Sequence, residues 1–138
     1  MAKKKILYVD SAWQVEDTTG TVIEIECNAE VVVAETFEEA EANLNTMQFD
    51  LVISAVVPAD DHISDGIINT GLDFIRSLEL PVIIICSTLD FEIPIQPNPS
   101  RQTVQGTLES FGIPKERMFQ KPFGKGDTKR LVSLINSI

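Results

Sequence analysis

The chain has 138 residues, of which 43% are hydrophobic and 23% charged, and these values are ordinary for one globular domain. Its formal net charge of −10 repels phosphate backbones, so nucleic-acid binding is not expected. No apolar run is long enough to cross a membrane, and the run after the N-terminal lysines reaches Asp10 too soon for a signal peptide, so we expect a cytoplasmic protein that binds no membrane.

Apolar runs rich in β-branched residues predict four buried parallel strands and a short fifth one. The four runs are KILYVD (5–10), EVVVAE (30–35), FDLVISAVV (49–57) and LPVIIICS (80–87). The fifth strand is expected around RMFQ (117–120).

Helical patterns lie between these strands. Residues 11–27 begin with Ser11 and Gln14 in capping-box spacing, although the Thr-Thr-Gly that follows weakens a long helix there. Thr36 and Glu39 form a second capping box before an acidic helix that reaches residue 47. Shorter helices are predicted over 70–80 and 103–114, and Asp127 or Thr128 is expected to cap a last helix over 129–138.

Two connections are longer than a minimal unit of this kind needs. They are PADDHISDGIINT (58–70) and TLDFEIPIQPNPS (88–100), and both are predicted to be loops. Loops of this length are usually functional or mobile.

Strands that alternate with helices predict a doubly wound parallel sheet with helices on both faces, a three-layer α/β/α arrangement. Ligands of such sheets bind beyond the carboxyl ends of the strands. The residues expected at that edge are Asp10 with Ser11, Ala55, Cys86 with Ser87, and Lys121 followed by Pro122 and Phe123.

This pattern resembles the receiver (CheY-like) domain of bacterial two-component response regulators. The resemblance extends over the whole chain, and KPF (121–123), after the fifth strand, is its most specific piece. It implies a flavodoxin-like (βα)5 fold with strand order 2-1-3-4-5, as a single stand-alone domain over residues 1–138. It also implies a place in phosphorelay signal transduction.

The resemblance indicates where the chemistry of a receiver should lie, and two positions depart from it. In receivers, a pair of acids after the first strand and an aspartate ending the third hold Mg²⁺, and that aspartate accepts a phosphoryl group from a histidine kinase. Here Asp10 matches one acid of the pair, Ser11 replaces the other, and Ala55 takes the acceptor position. A methyl group can neither attack phosphorus nor bind a metal. We therefore predict no cofactor and weak Mg²⁺ binding at most.

Three further receiver positions are assigned by the same resemblance. Lys121 matches the family lysine, and its expected partner is Asp10. The hydroxyl residue that ends the fourth strand corresponds to Cys86 or to Ser87, and the sequence leaves that choice open. The aromatic switch position corresponds to Met118.

The sequence favours a pseudo-receiver, which is a phosphorylation-independent protein-interaction domain and not an enzyme. The expected partner is a protein, either a histidine kinase or another signalling protein. In receivers, dimers and partners commonly use the face of the fourth helix, fifth strand and fifth helix. The candidate residues on this face, beside a loop carrying Pro94, Pro97 and Pro99, are Arg101, Gln105, Glu109, Lys129 and Arg130.

Two alternatives stay open at this point. One keeps phosphoryl transfer but moves the acceptor to an acid of the first long loop, Asp60, Asp61 or Asp65. The other is a small ligand-binding protein or enzyme that uses Cys86 or His62 in the same crevice. No base, nucleophile and orienting group share a recognisable spacing for the enzyme.

The remaining unusual residues are expected to be structural. Cys27 and Cys86 have no CxxC spacing and no histidine neighbours, which predicts buried thiols and no metal site. Tyr8 and Trp13 are predicted to be core or half-buried residues.

Overall fold

In the part of the chain that the structure describes, five strands and five helices alternate. The computed structural model describes residues 3–10, 19–56, 65–78, 83–87, 91–92, 103–120 and 126–138. Its strands are β1 (Lys4–Val9), β2 (Ala29–Ala34), β3 (Leu51–Ser54), β4 (Ile83–Ser87) and β5 (Met118–Gln120). Its helices are α1 (Thr19–Glu26), α2 (Phe37–Thr46), α3 (Asp65–Ser77), α4 (Val104–Ser110) and α5 (Asp127–Asn136), with a 3-10 turn (Lys115–Arg117) before β5.

The strands form one parallel sheet in the order β2-β1-β3-β4-β5. This order confirms the predicted 2-1-3-4-5 arrangement. The order reverses where β1 has β2 on one side and β3 on the other. The crevice at the carboxyl ends of β1 and β3 is therefore the switch point at which open α/β sheets bind ligands.

The two faces of the sheet are covered by different helices. Side chains alternate along each strand, so Leu7 and Val9 of β1 face one layer while Ile6 and Tyr8 face the other. The first layer contains α2, α3 and α4, and the second contains α1 and α5. Each fully buried Leu, Ile or Phe contributes about 2 kcal/mol of burial free energy, so these two layers supply most of the driving force for folding.

Gly71 allows α3 to contact the chain just after β3. A Cβ atom at this position would lie 1.8 Å from the carbonyl oxygen of Val56 and 2.8 Å from its carbon. No side chain fits in that space. The glycine therefore fixes how closely α3 approaches the carboxyl edge of β3.

Helix α2 begins at the predicted cap. The Thr36 hydroxyl accepts a hydrogen bond from the Glu39 N–H at 3.1 Å, which confirms half of the capping box. The Glu39 carboxylate accepts from the N–H of Glu35 at 3.4 Å instead of reaching back to Thr36. The helix start was predicted correctly, although the return bond is displaced by one residue.

Helix α5 begins differently from the prediction. Asp127 is already its first helical residue, and the capping position is held by Gly126, with φ of 87° and no side-chain hydrogen bond. The predicted cap at Asp127 or Thr128 is therefore wrong. Glycine suits this position because its φ lies in the left-handed region that other residues rarely adopt.

The predicted loop over 58–70 is wrong in its second half, because α3 begins at Asp65. Within this early part of the helix, Ile68 is buried and stands four residues before buried Leu72. Packing on the sheet therefore stabilises helix where local composition indicated a loop. The helix also ends at Ser77, before the predicted end at residue 80.

The other predictions fall partly on described residues. The helix expected over 11–27 is seen as α1 from Thr19 to Glu26, and its predicted start at Ser11 and Trp13 lies outside the described residues. Of the second predicted loop (88–100), only residues 91–92 are described, and they form a turn. None of the described helices is long and apolar enough to cross a membrane.

Candidate functional site

The carboxyl edge of the sheet brings together three of the predicted site residues. Val9 pairs with Ser54, and Ser54 pairs with Ile85, so Asp10, Ala55 and Cys86 follow one another across β1, β3 and β4. The backbone ladder continues into this row: the Ala55 N–H donates to the Val9 carbonyl at 2.9 Å, and the Asp10 N–H donates to that of Ala34 at 3.0 Å. We call Asp10, Ala55 and Cys86 the edge row.

All three residues of the edge row are buried. Asp10 and Ala55 are each 1% exposed, and Cys86 is 0% exposed. Ala55 contributes a methyl group at the centre of the row, between a carboxylate and a thiol. The neighbouring hydroxyl does not replace the missing polar group, because the Ser54 Oγ donates to the Ala55 carbonyl oxygen at 2.8 Å. The row therefore offers the Asp10 carboxylate but no second acid from β3.

Tyr8 adds a polar group beneath the edge row. It is 0% exposed, which confirms its predicted place in the core. Burial raises the pKa of its hydroxyl well above the usual range, and the nearby Cys86 and Asp10 side chains raise it further. The hydroxyl thus stays protonated, close to both ends of the row.

Tyr8 was predicted only as a core or half-buried residue, so its place beneath the edge row was missed. The signal was available, because residues two apart in a strand point to the same face. Tyr8 therefore shares a face with Asp10, and a tyrosine ring is long enough to reach a neighbouring strand.

Comparison with known proteins finds solved structures with a similar fold. No family model matches the sequence, and no curated protein matches it either. Solved structures do match over nearly the whole chain. The receiver domain of HemR from Leptospira biflexa is 22% identical with a TM-score of 0.64, and the match covers 99% of this chain and 96% of that one.

Two more solved structures agree with this match. The Francisella response regulator 1452 receiver domain is 20% identical with a TM-score of 0.63, covering 98% of this chain and 95% of that one. The chemotaxis response regulator CheY4 of Vibrio cholerae is 17% identical with a TM-score of 0.64, covering 97% and 99%.

The chain has the receiver fold. At these identities the likeness concerns the fold, which was predicted from the alternation of strands and helices and from the resemblance to receivers. The edge row lies at the switch point of that receiver fold, at the carboxyl ends of β1, β3 and β4.

Several site residues predicted for a receiver fold lie outside the described residues. They are Ser11, Lys121, Asp60, Asp61, His62 and Arg101, and the same applies to the three loop prolines. Asp65, predicted as a loop acid, is instead the first residue of α3. Ser87 ends β4 and pairs with Gln120, one position beyond the edge row, whereas Cys86 lies within the row.

Met118, the predicted switch position, and the residue after it pack in different layers. Met118 is 7% exposed and packs in the layer of α2, α3 and α4. The next residue, Phe119, is 1% exposed, pairs with Cys86 and packs in the layer of α1 and α5. The aromatic ring beside the edge row is therefore that of Phe119.

Neither cysteine is available as a reactive group in the folded chain. Cys27 and Cys86 are both free and buried, as predicted. Burial raises the pKa of the Cys27 thiol, nearby Lys4 lowers it and Glu26 raises it. Among the described residues, no three histidines, cysteines or acids are grouped to hold a metal ion.

The described part of the candidate interaction surface lies on α4, β5 and α5. On α4, the Gln105 amide Nε2 donates to the Glu109 carboxylate at 3.3 Å. On α5, Lys129 is exposed and points to solvent. We call Gln105, Glu109, Lys129 and Arg130 the α4-α5 surface.

Arg130 differs from the other members of the α4-α5 surface because it is held in place. Its guanidinium carbon lies 4.0 Å from the centre of the Phe119 ring. One nitrogen lies 3.7 Å from the Asp127 carboxylate, and another donates to the Glu116 carbonyl at 3.4 Å. Arg130 therefore joins α5 to β5 as well as presenting a charge to solvent.

Proposed function

We propose that this chain is a phosphorylation-independent protein-interaction domain in signal transduction, built on the receiver fold. The observation that carries the proposal is Ala55 in the middle of the edge row, between Asp10 and Cys86. Phosphoryl transfer to a protein through an acyl phosphate requires a carboxylate as the nucleophile. The methyl group of Ala55 supplies none.

The same row is poorly suited to Mg²⁺. This cation prefers octahedral oxygen coordination and is usually held by one or two carboxylates together with phosphate oxygens. Asp10 is a single carboxylate, and the resemblance to receivers places Ser11 where a second acid would stand and Lys121 as a partner for Asp10. We infer weak Mg²⁺ binding at most and no resident cofactor.

Without a phosphoryl switch, partner recognition uses a surface that does not change with phosphorylation. The α4-α5 surface, to which the sequence adds Arg101 and the proline loop, is the proposed docking face for a histidine kinase or another signalling protein, and for a second copy of the chain. Arg130 supports this role because its contacts with Phe119 and Asp127 hold it in one arrangement before binding. A preordered side chain loses less entropy when a partner binds.

One alternative acceptor has an observation in its favour. Helix α3 extends six residues before Gly71, and Gly71 is held at the carboxyl edge of β3 by its contact with Val56. Asp65 is therefore the first residue of a helix that contacts the carboxyl edge of β3 at Gly71. Asp65 lies about 9 Å from Gly71 along the helix axis. The enzyme alternative with Cys86 as nucleophile is weakened, because that thiol is 0% exposed.

Treatment with acetyl phosphate and Mg²⁺, followed by measurement of the intact mass, separates the proposal from this alternative. The expected result is an unchanged mass. A gain of one phosphoryl group that maps to Asp60, Asp61 or Asp65 would establish the displaced acceptor and overturn the proposal.

The matched variant is Ala55→Asp, which adds a carboxylate to the edge row. Without a cation it should lower the free energy of unfolding by about 3 kcal/mol, because a second charge is buried beside Asp10. Added Mg²⁺ should recover part of that loss and shift the amide NMR signals of residues 10, 55 and 86. If Mg²⁺ leaves both the stability and the spectrum of the variant unchanged, Ala55 is not at the acceptor position.

A further inference from the structure

A cavity of about 370 Å³ lies at the amino edge of the sheet, opposite the edge row. It is bounded by the end of α3, the start of β4, the end of α4 and the residues that lead into β5. Its volume falls in the range of small-molecule sites. The floor is formed by the buried side chains of Ile75, Ile83 and Ile113.

The charged residues of the cavity lining are positive. Half-buried Leu78 and Phe111 contribute apolar surface to this lining, and Arg76 and Arg117 contribute its charge. The whole chain has 21 acidic and 11 basic residues, yet none of the described lining residues is acidic. The charge of the cavity is therefore opposite to that of the chain.

Both arginines are available to a ligand. Arg76 lies 3.9 Å from the Asp73 carboxylate, but these side chains are 69% and 75% exposed, and such pairs are weak. Within the part of the chain that the structure describes, no carboxylate forms an ion pair with Arg117. A ligand carboxylate can therefore bind Arg117 without first displacing a carboxylate of the described residues.

The arginines are also not needed to complete the end of α4. The carbonyl groups there already accept backbone hydrogen bonds from the N–H groups of Phe111, Gly112 and Ile113, at 3.0 to 3.2 Å. Gly112 makes this turn possible with φ of 91°. Free carbonyls at the end of α4 therefore give Arg117 no structural role, whereas Arg76 lies in the last turn of α3, where a positive charge is favourable to that helix.

We propose that this cavity binds a small carboxylic acid with an apolar body. The guanidinium fork matches the two oxygens of a carboxylate, and the apolar side chains of the lining, above all Leu78 and Phe111, remove the apolar body from water. A volume of about 370 Å³ suits a small molecule better than a folded partner. The proposal concerns the edge opposite Asp10 and does not rest on the function proposed above.

The test uses 4-phenylbutyrate as the acidic probe and 4-phenylbutanol as its uncharged counterpart, each titrated into the full chain and followed by amide NMR. The acid is expected to bind saturably, with the largest shifts at residues 110–113, 117 and 83. The alcohol should bind about tenfold more weakly, because it lacks the charge-assisted hydrogen bonds. Equal binding of the two, or shifts centred on residues 10, 55 and 86, would overturn the proposal.

Three variants assign the interaction to the arginines. Arg117→Met and Arg76→Met keep a long apolar side chain but remove the charge. Each should weaken the binding of 4-phenylbutyrate by about tenfold. Lys115→Met removes a charge from the same 3-10 turn, outside the cavity lining, and should leave binding unchanged. A loss in Lys115→Met equal to that in Arg117→Met would mean general charge attraction and would refute a built site. The comparison of acid with alcohol holds even if one variant is unstable.

Discussion

The two faces of the sheet differ in chemistry although one set of strands builds both. The layer with α2, α3 and α4 is apolar and so tightly packed that Gly71 contacts the backbone of Val56. The layer with α1 and α5 includes the Tyr8 hydroxyl and both thiols, and the buried Asp10 carboxylate follows Tyr8 on the same side. The first face thus sets the position of the helices, whereas the second holds the buried groups that can titrate.

Ala55 adds no polar group to the edge row. Because a methyl group needs no hydrogen bond, it leaves no buried polar group unmatched there. We therefore expect substitutions of buried residues on the apolar face to act on stability, and substitutions of buried residues on the polar face to act on pH dependence as well.

The largest expected effect comes from Gly71→Ala on the apolar face. Alanine normally stabilises a helix by about 1 kcal/mol relative to glycine, but here its Cβ overlaps the Val56 carbonyl. We expect a net loss of about 3 kcal/mol in the free energy of unfolding, measured by urea denaturation. Asp73→Ala, on the exposed side of the same helix, is the control and should change stability by less than about 0.5 kcal/mol. Equal stability of Gly71→Ala and the parent chain would show that α3 does not approach β3 so closely.

A smaller effect, confined to high pH, is expected for Tyr8 on the polar face. Its pKa is raised in the folded state, so between the ordinary value near 10 and the raised value the unfolded state releases its proton while the folded state keeps it. Stability contributed by the protonated hydroxyl is therefore present below pH 10 and is lost as the pH rises above it, by about 1.4 kcal/mol per pH unit.

Tyr8→Phe should remove this loss. Urea denaturation at pH 9 and pH 11 should therefore show a smaller decrease in the free energy of unfolding for the variant than for the parent chain. Tyr8 is the chain's one tyrosine, so the ultraviolet absorbance of tyrosinate reports its ionisation directly. A native-state titration with a midpoint near 10 would contradict a buried hydroxyl.

The smallest effect separates two neighbouring cations of α5. Arg130→Ala removes the contact with Phe119 and should cost about 1 kcal/mol of stability, whereas Lys129→Ala should cost almost none. Thermal unfolding of the two variants measures the difference.

If the α4-α5 surface is the docking face, Lys129→Glu should weaken self-association in light scattering while the fold remains intact. Association that survives Lys129→Glu would place the contact elsewhere.

The fold was predictable from the sequence because local and long-range signals agree. The runs around Ile6 and Ile53 are too apolar and β-branched for anything but buried strands, and the Thr36 cap identifies the start of α2. The start of α3 was missed because Pro58, three acids and a glycine across 58–70 indicate a loop. Yet Ile68, Leu72 and Ile75 stand at helical spacing, and that signal was present.

The site was less predictable than the fold. Asp10, Ala55 and Cys86 were identified individually from strand ends, but their alignment in one row depends on the register between strands, which no local pattern fixes. The position of Tyr8 could have been inferred from the two-residue repeat of a strand, but the cavity at the amino edge had no such local signal. The cavity unites Arg76 with Arg117, which are far apart in sequence and meet only through tertiary packing.

The shortness of β5 affects which part of the molecule unfolds first. It pairs with β4 at three positions, whereas β1 and β2 pair at six, and Arg130 of α5 lies over its Phe119 ring. Strand and helix should therefore detach as one subglobal unit, whose amides exchange with solvent sooner than those of β1. Once β5 and α5 detach, β4 becomes an unpaired edge strand of the sheet. Its run of Ile83, Ile84, Ile85 and Cys86 is a sequence suited to pairing with a second chain. Slow aggregation of stored protein would begin from this opened form, and contacts that hold α5 to β5 would suppress it.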